Sequence, residues 1–169
     1  MSNAPGPDIE RDLARIALQE ERLRFERFDA ATAWRLGSAL RQFADAGGRG
    51  VAIDISSHAQ VLFHCATAGA TPDNADWVRR KRNTTLRFFR SSYAIGLELQ
   101  RDGRTLQDRF GLGPDFMAHG GSFPLHLGTT CIGAITVSGL PQREDHILVV
   151  QALALILDQP EQDIALEWP

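Results

Sequence analysis

Three side chains in this chain have the type and position to do chemistry: Lys81, His119 and His146. Lys81 is the only lysine among 18 basic residues. An amine shifts its pKa readily on burial while a guanidinium stays charged. A single amine is therefore either a chance survivor in an arginine-rich composition or a group that a site needs. At about 100° per residue along a helix, Lys81 shares one arc with Trp77, Val78, Thr84, Thr85, Phe88 and Phe89. Its ammonium must then meet a carboxylate, a cluster of backbone carbonyls or a bound anion, because an unpaired charge there is costly to bury.

His146, Val150, Leu153 and Leu157 recur at i, i+4, i+7 and i+11, which puts His146 on the core side of the last helix. It also falls in that helix's first turn, where free N–H groups and the dipole attract anions. His119 precedes Gly120 and Gly121, and residues without a Cβ let the backbone come close to a ligand. The plainer alternative is that both histidines satisfy nearby carbonyls. His58 falls in an expected hairpin turn, and His64 and His126 alternate out of strands towards solvent. The candidate ligand-binding set is Trp77, Lys81, Arg82, His119, Gly120, Gly121, Asp145 and His146. No residue is assigned as catalytic, and no spacing demands a metal.

Several chemistries are excluded. Gly111-Leu112-Gly113 lacks the third glycine of a dinucleotide fingerprint, and there is no P-loop, H-E-x-x-H or nucleophile elbow. Cys65 and Cys131 form no C-x-x-C pair, which argues against a disulfide framework or a thiolate zinc site. Arg79, Arg80, Arg87 and Arg90 fall outside the Lys81 arc, on a solvated or subunit-facing surface. With a net charge of -3, that dispersion argues against nucleic acid as a partner.

These groups need a scaffold, and 169 residues suit one domain, which buries roughly 70% of the unfolded surface. Residues 1–7 are expected to be a loose tail, 8–158 a single α/β domain and 159–169 an acidic tail carrying Trp168. Asp8 can cap a helix to about Glu21, Asp29 a second to about Ala46, and Thr71-Pro72 a third to about Arg90. Leu23 and Phe25 alternate with charged residues like a short strand. Val51–Ser56 with Gln60–Ala66, and Ser122–Leu127 with Thr130–Ser138, read as two hairpins. Tyr93–Leu99 alternates like a strand, yet Ser91 or Ser92 can cap a helix there, and the helix is favoured. Thr105–Phe110 is a short helix, and Pro141 opens the last one, to about Leu157. The sum is an α+β domain: an antiparallel sheet of about five strands with helices packed on it.

The segments Trp77-Val78-Arg79-Arg80-Lys81-Arg82-Asn83, His119-Gly120-Gly121-Ser122-Phe123-Pro124 and Val137-Ser138-Gly139-Leu140-Pro141-Gln142-Arg143-Glu144-Asp145-His146 carry a resemblance. Together they resemble the haem-degrading-domain superfamily of GlcG- and HbpS-like proteins. The nearest branch is its cytoplasmic one, an uncharacterised protein family. The resemblance spans about Leu23 to Leu157. It implies a profilin-like fold that assembles into homo-oligomers, in a superfamily where some relatives bind haem and others accompany corrinoid or glycolate metabolism.

The expected function is that of an oligomeric domain binding haem or a small anionic metabolite between the Trp77 helix, the His119 loop and the start of the last helix. Two rivals stand beside it. One is an enzyme using Lys81 and His146 on a small carboxylate. The other is a protein-interaction module. The narrow apolar stripe of the first helix, together with Trp168, suggests surface covered by a neighbouring subunit. The N-terminal residues contain no signal-peptide core and no stretch reaches membrane-spanning length, so a cytoplasmic protein without membrane contact is expected.

Overall fold

The computed structural model describes residues 8–167. Among them the chain forms α1 (Ile9–Arg22), α2 (Ala30–Ala46), β1 (Ala52–Ser57), β2 (Val61–Ala66), α3 (Pro72–Phe88) and α4 (Ser92–Arg101). It continues with α5 (Leu106–Phe110), β3 (Ser122–Leu127), β4 (Thr130–Ser138), α6 (Gln142–Ile156) and α7 (Glu161–Ile164). The helix starts follow from side chains that satisfy free backbone donors. Asp8 accepts from the Arg11 N–H at 3.1 Å, Asp29 from Thr32 at 2.8 Å, and Ser91 from Ala94 at 3.1 Å. Thr71 and Asn74 form a reciprocal capping box, with Pro72 as the first residue of α3. The Ser91 cap resolves the ambiguity at Tyr93–Leu99 in favour of helix, since alternation over four apolar residues also fits a helix buried on most sides.

The strands form one antiparallel sheet in the order β2-β1-β4-β3. Alternation divides its faces. Ile53, Ile55, Phe123, Leu125, Ile135 and Val137 point to one side and pack with Leu36 and Leu40 of α2 and Leu148 and Leu153 of α6. The other side carries Asp54, Ser56, Ser122, Thr136 and Ser138, all buried although polar. Helix α3 lies over that side and brings the side chains that satisfy it. A second cluster, with Ile16, Tyr93, Leu97, Ile147 and Leu166, joins α1, α4 and the C-terminal segment to α6.

The α+β class stands, but the described residues hold four strands rather than about five. The expected strand at Leu23 and Phe25 shrinks to a single parallel bridge between Phe25 and Leu127. Phe25 makes its two backbone bonds, from its N–H to His126 O and from the Gly128 N–H to its own carbonyl, and the chain then turns at Asp29 to enter α2. His126 does not face solvent. It is buried, next to a register shift between Leu125 and His126 in the β3–β4 ladder.

Two further expectations meet the C-terminal packing. The apolar stripe of α1 is covered within the chain, where Ile16 is fully buried against Leu166 and its neighbours. Residues 159–167 lie against the domain: Ile164 and Leu166 are buried, and the Gln19 amide donates to Ile164 O at 2.7 Å. Trp168 and residues 1–7 lie outside the described residues.

Candidate ligand-binding site

Helix α3 carries Lys81 down onto the end of β4. Its Nζ donates to Val137 O at 3.1 Å and to an Asp145 carboxylate oxygen at 2.7 Å. Asp145 lies in the first turn of α6, and its other oxygen accepts the Leu140 N–H at 3.0 Å. The position expected for a bound anion is thus filled by the protein's own carboxylate. Burial pushes the Asp145 carboxyl up to about 6, against the pull of Lys81 and the backbone N–H groups. Burial likewise pushes the Lys81 ammonium down, with Asp145 opposing.

Gly121 makes room for this pair rather than for a ligand. Its φ is 128°, and a Cβ there would stand 2.3 Å from Val137 O, 2.9 Å from Lys81 Nζ and 3.0 Å from Asp145 Cβ. A Cβ on Gly120 would meet Gln142 O at 2.3 Å, while the Gly120 N–H donates to Gln142 Oε1 at 3.1 Å. The two glycines seat the loop on the start of α6.

His119 is the exposed member of the set. Its backbone carbonyl accepts the Ser92 hydroxyl at 2.6 Å, which anchors the loop on α4. Its ring stacks on Trp77, with centroids 5.2 Å apart and planes 28° apart. The Arg80 guanidinium also lies over the indole, 5.1 Å from its centroid. Neither imidazole nitrogen has a hydrogen-bond partner among the described residues. Partial desolvation of the ring, then the charges of Lys81 and Arg80, lower the His119 pKa from its ordinary value of 6.5, which favours the neutral imidazole.

Two hollows meet at this residue. A polar recess of about 240 Å³ is lined by Asn74, Trp77, Lys81, Ser138 and Asp145. A larger cavity of about 450 Å³ opens between α4, α5 and the 111–119 loop, lined by Leu97, Leu99, Leu106, Leu112 and Met117 with Arg104. His119 and Gln142 line both.

The structure does not bring the remaining candidates to this place. Arg82 reaches Asp54 at 3.0 Å and Ser56 at 3.4 Å, and Asp54 in turn holds His64 at 3.3 Å. His146 points into the seam between α1, α4 and α6. Its Nε2 lies 2.8 Å from Gln19 Oε1, an acceptor, so Nε2 carries the proton and Nδ1 is left without a partner. Tyr93 and Phe123 enclose the ring, and burial holds its pKa down to about 3. An acid–base role for His146 beside Lys81 has no geometric basis.

Arg104, Gln142 and Asn74 were not legible as site residues. Arg104 follows a turn at Gly103, Gln142 sits at the first position of α6, and Asn74 already has a capping role. Only the packing of α3, α4, α5 and α6 around the His119 loop turns them towards the hollows.

The family model described as haem degrading protein HbpS-like matches residues 28–154. The chain belongs to this HbpS-like family. Its relatives include a UPF0303 protein of Rhizobium leguminosarum bv. trifolii, 54% identical over 162 residues that cover 95% of this chain and 98% of that one. Among solved structures, Ybr137w superposes with a TM-score of 0.80 at 29% identity, covering 86% of this chain and 87% of its own. The structure of the PduOC–haem complex superposes with a TM-score of 0.66 at 17% identity, covering 75% and 93%, a likeness of fold. HbpS-like membership agrees with the resemblance carried by the Trp77, His119 and Val137 segments, all of which lie in the matched range. Among the described residues no helix is long and apolar enough to cross a membrane.

Proposed function

We propose that this HbpS-like chain binds haem, with His119 as the ligand to the iron and the cavity between α4 and α5 as the seat of the porphyrin. The observation that carries the proposal is the state of His119. Neither imidazole nitrogen has a hydrogen-bond partner among the described residues, the ring is oriented by stacking on Trp77, it lines an apolar cavity, and its lowered pKa favours the neutral form. Neutral imidazole is the form that coordinates a metal. The group therefore fits the residues present: an apolar body has Leu97, Leu99, Leu106, Leu112 and Met117 to lie against. The haem named in the family's description and the haem complex of PduOC point the same way. Bound there, haem would supply an iron centre able to take a further ligand.

A small anion held by Lys81 has less support. The charge of Lys81 is already matched by Asp145, so the polar recess offers an incoming anion no spare cation. Self-association belongs to the same proposal. Trp34 on α2 is 67% exposed and Leu155 on α6 is 59% exposed, and the two helices pack side by side. A neighbouring copy covering that face would remove both from water. Light scattering at micromolar concentration should show a multimer, and a monomer would refute this part.

The haem proposal is tested by titrating haemin into the purified apoprotein. A sharp Soret band should saturate at one haem per chain and shift in His119→Ala. A broad band that keeps growing, and that no single histidine substitution alters, would mark adsorption to apolar surface.

A further inference from the structure

The cavity beside His119 holds one uncompensated charge. Among the described residues that line it, Arg104 is the only one with a formal charge at neutral pH, and none is an aspartate or glutamate. The turn that ends α4 sets Arg104 in place: Gly103 adopts a φ of 61°, and the Arg104 N–H donates to Leu99 O at 2.9 Å. The nearby carboxylates are engaged elsewhere. Asp102 holds Arg101 at 3.0 Å and Arg109 at 2.7 Å, and Asp108 accepts the Thr105 N–H at 3.2 Å as part of the α5 capping box. The Arg104 side chain itself makes one internal bond, from Nη2 to the backbone carbonyl of Asp108 at 2.9 Å. A neutral carbonyl orients the guanidinium without neutralising it, and most of its five N–H donors remain available.

An arginine fork at the edge of an apolar cavity matches one ligand chemistry: an apolar body bearing a carboxylate. We infer that Arg104 receives the carboxylate of the ligand while its apolar part occupies the cavity. The anion thus goes to Arg104, which lines the cavity, and not to the Lys81–Asp145 pair, which lines the polar recess. The inference rests on the cavity being the ligand site and deepens that proposal, since haem carries two carboxylates. A long-chain fatty acid shares the chemistry.

The test uses three probes that separate iron from carboxylate, on the full chain. Metal-free protoporphyrin IX has carboxylates and no iron, haem dimethyl ester has iron and no free carboxylate, and dodecanoate has a carboxylate on an alkyl chain. Arg104→Met keeps the apolar stem and should weaken protoporphyrin about tenfold or more, equivalent to roughly 1.4 kcal/mol. It should leave the dimethyl ester unchanged, and Arg104→Lys should recover part of the loss. If the physiological ligand is a fatty acid, dodecanoate will displace protoporphyrin from the wild type and bind Arg104→Met more weakly. Equal affinity of wild type and Arg104→Met for both protoporphyrin and dodecanoate would overturn the inference, as would an equal loss for the dimethyl ester. Arg104-dependent protoporphyrin binding, with haem binding indifferent to His119→Ala, would uphold the carboxylate site and refute iron ligation.

Discussion

Lys81 Nζ lies 2.7 Å from a carboxylate oxygen of Asp145, and both side chains are almost wholly buried. The sole lysine is thereby accounted for as half of an internal ion pair. Its amine lies close to Gly121, where a Cβ would come within 2.9 Å of Nζ. Removing one partner leaves the other buried and uncompensated. Lys81→Met should therefore destabilise the apoprotein by about 3–5 kcal/mol. The double variant Lys81→Met/Asp145→Leu should recover much of that loss. Urea unfolding of the four proteins in the cycle measures the coupling, and additive losses would show that the pair does not act as a unit.

Gly121→Ala tests the same packing from the loop side. The new methyl group would have to displace the Val137 carbonyl and the Lys81 ammonium at a φ of 128°. Backbone strain alone costs on the order of 1–3 kcal/mol, and the clash adds to it. A melting temperature equal to that of the wild type would show that the loop can move away from α6.

His146 makes stability depend on pH. Its folded pKa is held at about 3, below the ordinary 6.5, by burial of a neutral ring. Between these values the unfolded chain binds the proton and the native state does not. The contribution is complete above about pH 6.5 and is lost as pH falls towards about 3. Over the span from about pH 7 to pH 5 it amounts to about 2 kcal/mol. His146→Gln keeps an amide donor for Gln19 and should flatten this part of the profile. Parallel profiles for the two proteins would contradict the assignment.

The C-terminal segment is predicted to be part of the cooperative unit. Ile164 is fully buried against the main core, and its carbonyl holds Gln19, the partner of His146. Ile164→Ala should cost about 2–5 kcal/mol, and the whole domain should melt at the lower temperature. A local loss confined to residues 159–167, seen by hydrogen exchange, would instead mean that the segment opens independently.

The elements were legible where a local rule governs them. The caps at Asp8, Asp29, Thr71 and Ser91 and the two hairpins depend on neighbours a few residues away. The helical period also placed Lys81 and His146 correctly as inward-facing residues. What each one meets depends on contacts between distant parts of the chain. Asp145 is 64 positions from Lys81, and Gln19 is 127 positions from His146. Residues 145 and 146 are adjacent, but about 100° of helix rotation sends one side chain to the sheet end and the other to the α1 seam. Hence two residues expected in one pocket lie in different environments, and the charge free to meet a ligand is found on Arg104.

If His119 ligates haem iron, the loss of its imidazole can be made good by imidazole from solution. His119→Gly removes the imidazole and leaves a space beside Trp77. The haem-loaded variant should show a shifted Soret band, and added imidazole should return it to the wild-type position. A His119→Gly spectrum identical to the wild type before imidazole is added would contradict iron ligation by His119.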